Sequence, residues 1–154
     1  MVSKKLTSKQ MGDAGEMLVA AELTLHGIPA FIVPSNWPEY DVVAQHPGLG
    51  LQRVSVKTRT FARSGHFVGY SNDDNFDWLA IVILPDEGCE RRRIFIVPRK
   101  IAQERSYQAE PRNGRGFFVH KLITSPPSPL PVGAAIPAGG WGVADYEDNF
   151  VLKP

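Results

Sequence analysis

Glu16, Asp41 and Lys57 are two carboxylates and an ammonium that arrive in that order on three separate predicted elements. Residues of these types can act together on a phosphodiester. A divalent metal needs hard oxygen ligands, and Asp41 offers one. The backbone carbonyl of Val56, between the side chains of Ser55 and Lys57, offers another. The Lys57 ammonium can orient or activate an attacking water and offset the negative charge that develops on the phosphorane. Metal and lysine together suit a polyanionic substrate.

The elements that must hold these residues follow from local patterns. A helix is expected over Ser8–Leu25, with Thr7 or Ser8 capping its first amides and Gly27 stopping it in the left-handed region. On a 3.6-residue wheel Met11, Ala14, Leu18, Ala21 and Leu25 form one apolar stripe. Gly12, Val19 and Leu23 form a second, and Glu16 falls within it, so burial on two sides is expected with Glu16 facing protein. Ala30–Val33 reads as a short strand and Pro34–Pro38 as a turn. Asp41–Gln45 and Leu51–Thr60 read as strands joined through Pro47-Gly48 and Gly50. In the latter, Val54, Val56 and Thr58 point one way and Arg53, Ser55, Lys57 and Arg59 the other, giving a core face and a basic face. Residues 61–76 are polar and carry no firm assignment. Asp77–Leu84 is a near-continuous apolar run, expected as a central strand covered on both faces. Ile94–Val97 is its expected neighbour, followed by a short helix over Lys100–Glu104 and a last strand over Gly116–Ile123.

Several of these segments together resemble the PD-(D/E)xK nuclease superfamily. They are Gly12-x-x-Gly15-Glu16 with Val19-Ala20, Tyr40-Asp41-Val42-Val43, Val54-Ser55-Val56-Lys57-Thr58, Phe76-Asp77-Trp78-Leu79 and Ile94-Phe95-Ile96-Val97-Pro98-Arg99. Within that superfamily the chain is similar to archaeal Holliday-junction resolvases and group I intron homing endonucleases, over roughly residues 8–105. The resemblance implies an α/β fold of the restriction-endonuclease-like type, a mixed central sheet flanked by helices. It implies that Asp41 is the principal metal ligand, Glu16 the helix acid that meets the metal directly or through water, and Lys57 the catalytic lysine. Magnesium is the implied cofactor, with manganese as a substitute, and DNA the favoured nucleic acid. One position departs from the pattern: Ser55 stands where an acid or glutamine is usual, a degenerate ligand without charge. Glu39 is a substitute for it only if its strand begins early. The implied activity is endonucleolytic hydrolysis of DNA; the alternative, favoured by Ser55, is a nuclease fold that has lost catalysis and serves as a nucleic-acid-binding or assembly module.

Plainer readings stand beside each assignment. Glu16 can pair with a basic neighbour on a solvated face, Asp41 can cap a turn after Pro38, and Lys57 can be an ordinary strand lysine. His26, His46, His66 and His120 have no metal-ligand spacing. Trp37, Trp78 and Trp141, with arginines nearby, can stack on bases, although Trp78 belongs to the apolar strand and reads as core. A Ser55/Lys57 hydrolytic dyad lacks a glycine-flanked elbow or a Ser-x-x-Lys helix.

The 154 residues suit one domain with a sizeable core. We divide them into a nuclease-like domain over 1–124, a proline- and glycine-rich strap over 125–140, and a tail over 141–154 that docks on the body or a partner. Net charge is only +1, so nucleic-acid contacts must come from clusters. Arg53, Arg59, Arg63, Arg99 and Lys100 are the candidates. Cys89 is the single cysteine, which excludes an internal disulfide and fits a reducing, cytoplasmic setting. No apolar run approaches the roughly 20 residues of a membrane helix. A homodimer is expected, with the tail reaching across to the partner.

Overall fold

The computed structural model describes residues 5–61, 67–86, 90–108, 114–124, 139 and 142–154. The first element, α1 (Ser8–Leu25), starts where the sequence reading puts it. Thr7 Oγ1 accepts from Gln10 N at 3.2 Å and Gln10 Oε1 from Thr7 N at 2.9 Å, a reciprocal cap of two orphan amides. Gly27, at φ +87°, takes the left-handed turn that ends it.

Five strands follow in one sheet of order β1-β2-β3-β5-β6: β1 (Ala30–Ile32), β2 (Val42–His46), β3 (Gly50–Thr60), β5 (Trp78–Leu84) and β6 (Arg93–Pro98). The β3–β5 pair is parallel, with Val54 opposite Trp78 and Lys57 opposite Ile81; the other pairs are antiparallel. This is the mixed sheet expected of the chain. β5 is buried on both faces, as a central strand beside a parallel neighbour must be. Between β3 and β5 the chain leaves the sheet to form β4 (Phe67–Ser71), in the stretch that carried no assignment. β4 joins β8 (Gly114–Phe118) and the short β7 (Tyr107–Gln108) in a second sheet of order β4-β8-β7. Two helices, α2 (Arg99–Arg105) and α3 (Val119–Ile123), complete that layer.

The main sheet therefore has two cores. On one face α1 lays Val19, Ala20 and Leu23 against Val42, Val54, Val56 and Ala80. On the other, Leu79, Ile81 and Ile83 meet Phe76, Phe117 and Leu122 of the second layer.

Three expectations are corrected. Helix α1 buries one face, through Gly15, Val19, Ala20 and Leu23, while Leu25 of the other stripe is 79% exposed. The last strand ends at Phe118, and 119–123 turn into α3 instead of continuing it. Strand β2 begins at Val42, so Glu39 lies in a turn and not early on a strand. Arg63, His66, Cys89, Trp141 and, apart from Gly139, the strap lie outside the described residues. From Val143 onward the tail packs on the body. Val143 and Leu152 are fully buried, Glu147 bridges to Phe95, and Asn149 Nδ2 donates to Ile96 O at 3.0 Å. The free edge of β6 is thereby covered.

Candidate active site

The β1–β2 connection makes two tight turns before Asp41. Trp37 N donates to Pro34 O at 2.9 Å, and Tyr40 N to Pro38 O at 3.0 Å. The second contact closes a γ-turn centred on Glu39 at φ +77°, the rare form with positive φ. Asp41 emerges with its backbone held on both sides, its N–H donating to Val54 O at 2.9 Å and its carbonyl accepting from Val33 N at 3.0 Å. The last regular β2–β3 pair is Val42 with Val54. Beyond it the Asp41 side chain takes over from the backbone, Oδ2 accepting from Val56 N at 2.7 Å. The N–H and C=O of one strand residue turn to the same side. The Val56 carbonyl therefore opens on this same edge, where β2 no longer covers β3.

Helix α1 approaches that edge at its closest point. A Cβ on Gly15 would lie 1.9 Å from Thr58 Oγ1, so only glycine allows this approach. Thr58 Oγ1 is buried with no hydrogen-bond partner. The next residue, Glu16, is half-buried. Its carboxyl is held above its ordinary value by burial first, then by the charges of Asp41 and Asp13, with Lys9 opposing. Asp13 itself pairs with Lys9 at 2.8 Å. Glu16 and Asp41 thus share one electrostatic field although their elements lie 25 residues apart in sequence.

Lys57 leaves β3 on the opposite face from α1, beside Ile81 of the second core. Among the described residues it makes no salt bridge and no side-chain hydrogen bond. Glu16 and Lys57 consequently flank Asp41 from the two sides of the strand and do not pair with each other. Ser55 shares the Lys57 face, is 2% exposed, and brings no charge.

The basic residues divide. Arg53 is held by Asp77, with its Nη2 2.9 Å from Oδ1 and its Nε 3.0 Å from Oδ2, and it also donates to Asn75 Oδ1. Arg99 lies over the Phe76 ring and donates to the carbonyls of Asn72, Asp74 and Phe76. Arg59 donates to the carbonyls of Thr58 and Phe67. These three guanidinium groups brace the 71–77 loop and β4. Lys100 is exposed. The pattern of arginines along the sequence could not distinguish the two uses, because the partners of Arg53 and Arg99 lie more than 20 residues away.

Trp78 is core, as its place in the apolar run implies, with Nε1 donating to Gln52 Oε1 at 2.8 Å. His46 serves the β2–β3 turn: its Nδ1 accepts from Gly48 N and Leu49 N, which leaves Nε2 to donate to Val151 O. Sequence reasoning missed Asp13 and Thr58; the Gly12-x-x-Gly15-Glu16 spacing was the one available sign that the helix comes close here.

The donor set suits a weakly held hard cation. The Asp41 carboxylate and the Val56 carbonyl open on the side of β3 that β2 leaves free, and the Asp41 charge is felt at Glu16, so these are the oxygens that could take up a hard cation. No three His, Cys, Asp or Glu side chains among the described residues gather as a metal cluster. A groove of about 620 Å³, bridged by Glu22 and Arg92 at 3.1 Å, lies elsewhere, between α1 and the ends of β5 and β6.

No protein-family model matches the sequence, and neither does any curated protein. The fold does match solved structures. The chain is similar to a bacterial homing endonuclease, I-Ssp6803I, with a TM-score of 0.56 and 14% identity, over 96% of this chain and 91% of that one. It also aligns with Hjc of Archaeoglobus fulgidus, a Holliday junction resolvase from an archaeal hyperthermophile. There the TM-score is 0.48 and the identity 16%, over 71% of this chain and 84% of the other. The fold is restriction-endonuclease-like, a mixed central sheet flanked by helices.

Proposed function

We propose that this chain is a metal-dependent endonuclease acting on phosphodiester bonds in DNA. The observation that carries the reading is the Asp41 carboxylate docked on Val56 N at 2.7 Å, at the point where β2 leaves β3. That bond fixes a ligand oxygen beside the Val56 carbonyl and one residue from Lys57. In this reading Asp41, Glu16 and the Val56 carbonyl hold a magnesium ion, with manganese as a substitute. When bound, such an ion supplies Lewis-acid polarisation of a phosphate oxygen. Lys57 donates hydrogen bonds to the non-bridging oxygens as charge builds on them, and it orients the attacking water. The water oxygen bonds to phosphorus and gives up a proton to solvent, the ester P–O bond breaks, and the leaving oxygen takes up a proton from solvent. DNA is chosen over RNA because the solved neighbour with this fold is a homing endonuclease. Further parts of the proposal are nucleic-acid backbone contacts from Lys100 and from Arg53, Arg59, Arg63 and Arg99. So are a cytoplasmic setting and a homodimer. Because Val143, Phe150 and Leu152 of the tail are buried on their own chain, the dimer would form through another surface. Among the described residues no helix is long and apolar enough to cross a membrane.

Ser55 supports a second reading, a nuclease fold that binds nucleic acid without cutting it. One experiment separates the two: cleavage of single-stranded, branched and duplex DNA with magnesium or manganese, alongside manganese binding. The enzyme reading expects cleavage at millimolar metal, lost by about 100-fold or more in Lys57→Ala. It also expects tighter metal binding and faster cleavage in Ser55→Glu. A wild type that cuts nothing with any divalent ion, together with Ser55→Glu binding metal no better, would establish the binding module.

A further inference from the structure

The second layer covers only part of the main sheet's face, and what it leaves open carries aromatics. Phe31, Val43 and Arg53 are lateral neighbours on the face opposite α1, which is also the face of Ser55 and Lys57. Phe31 is 66% exposed. Trp37 projects from the turn that leads to Asp41, 53% exposed, with its ring edge-on to Tyr40 at 6.3 Å and 65°. Tyr40 in turn packs against the second core, so the indole rests on a supported ring. The Pro34 and Pro38 turns stiffen the segment on both sides of Trp37. A tryptophan held this way, four residues before Asp41, loses little freedom when a flat ring settles on it.

We propose that Trp37, with Phe31 beyond it, is a base-stacking platform for an unpaired nucleotide adjoining the phosphate bound at Asp41 and Lys57. This rests on the nuclease reading and names its substrate class: DNA with an unstacked base, as in a single strand, gap or branch, in preference to an unbroken duplex. Charge decides for nucleic acid over a second copy of this chain. Along the same face lie Lys57, which has no ionic partner among the described residues, and Arg53, which pairs with Asp77 and also feels the Glu39 charge. A phosphate backbone following β3 would meet both cations while its bases reach Trp37. Stacking is indifferent to which base is present, so the platform selects for structure and not for sequence.

The test is equilibrium binding in EDTA, where no cleavage competes, read by fluorescence anisotropy of a labelled oligothymidine and of a labelled duplex of equal length. Thermal melts check that each variant is folded, which the surface position of Trp37 favours. Trp37→Ala is expected to weaken the single strand by about 10-fold or more, the loss of one base–aromatic stack. Duplex binding should change less than about twofold, and Trp37→Phe should restore most of the single-strand affinity. Equal losses on both probes, or none on either, overturn the platform while leaving the nuclease reading intact. A wild type that binds neither probe fails at the nuclease reading and takes the platform with it. A wild-type dimer that Trp37→Ala converts to monomer, with oligothymidine affinity unchanged, reassigns the surface to self-association.

Discussion

Glu16 carries more consequence than its half-buried place suggests. Burial and the neighbouring Asp41 and Asp13 charges hold its carboxyl above the ordinary 4.5. In the folded state the proton is therefore kept to higher pH than in the unfolded chain. Stability from this group is fullest below 4.5 and declines as pH rises through the folded value. Glu16→Gln removes a charge that the fold disfavours. It is expected to melt above the wild type at pH 7 in EDTA and level with it at pH 4, while binding manganese more weakly. A stability gain equal at both pH values would refute the electrostatic origin. Lys57 and Asp41 could be singled out as candidates from residue type and order alone. The arginines were not: the sequence does not show that Arg53 and Arg99 are also engaged by Asp77 and the loop carbonyls.

Element boundaries were readable wherever the signal is local. Thr7, Gln10 and Gly27 mark α1 through contacts made within four residues, and alternation marks β3. The second sheet was hidden because its pairing depends on residues that read as breakers. Gly116 sits where a Cβ would come 2.2 Å from Val68 O and 2.5 Å from the Phe67 ring, so β8 pairs with β4 because that side chain is missing. The helix-to-strand approach at Gly15 is of the same kind. Gly15→Ala drives a methyl into Thr58, an overpacking expected to cost about 1–3 kcal/mol. Pairing it with Thr58→Ala should return part of that loss, as a double-mutant cycle in denaturant would register. The γ-turn at Glu39 stores strain of about 1–3 kcal/mol, since a non-glycine residue is held at positive φ. Glu39→Gly gives up part of that relief to a more flexible unfolded chain. A net gain of about 1 kcal/mol is expected by chemical denaturation. Weaker manganese binding should accompany it, since the turn that aims Asp41 is loosened.

At the scale of the whole molecule the tail is a structural member. Glu147 receives Arg93 at 2.6 and 2.7 Å, and that hydrogen-bonded guanidinium is the chief reason its carboxyl sits below the ordinary value. A lowered folded value means stability that is fully present above 4.5 and lost as pH falls below that toward the lowered folded value. The tail should therefore loosen in acid, and hydrogen exchange should find its amides opening below about pH 4 before those of β5. Asn149→Ala, which strands the Lys153 N–H and the Ile96 and Lys153 carbonyls, should reproduce that opening at neutral pH, with a cost of about 1–3 kcal/mol. Phe150 and Leu152 also belong to the same core as Val19 and Leu23 of α1, and the Phe150 ring meets His26 at 5.0 Å. Translation must accordingly run to Leu152 before α1, made well before it, has its packing surface closed. Until then α1 and the uncovered edge of β6 coexist on a nascent chain with apolar surface unpaired, a window in which chaperones have something to hold and neighbouring ribosomes on one message have something to entangle.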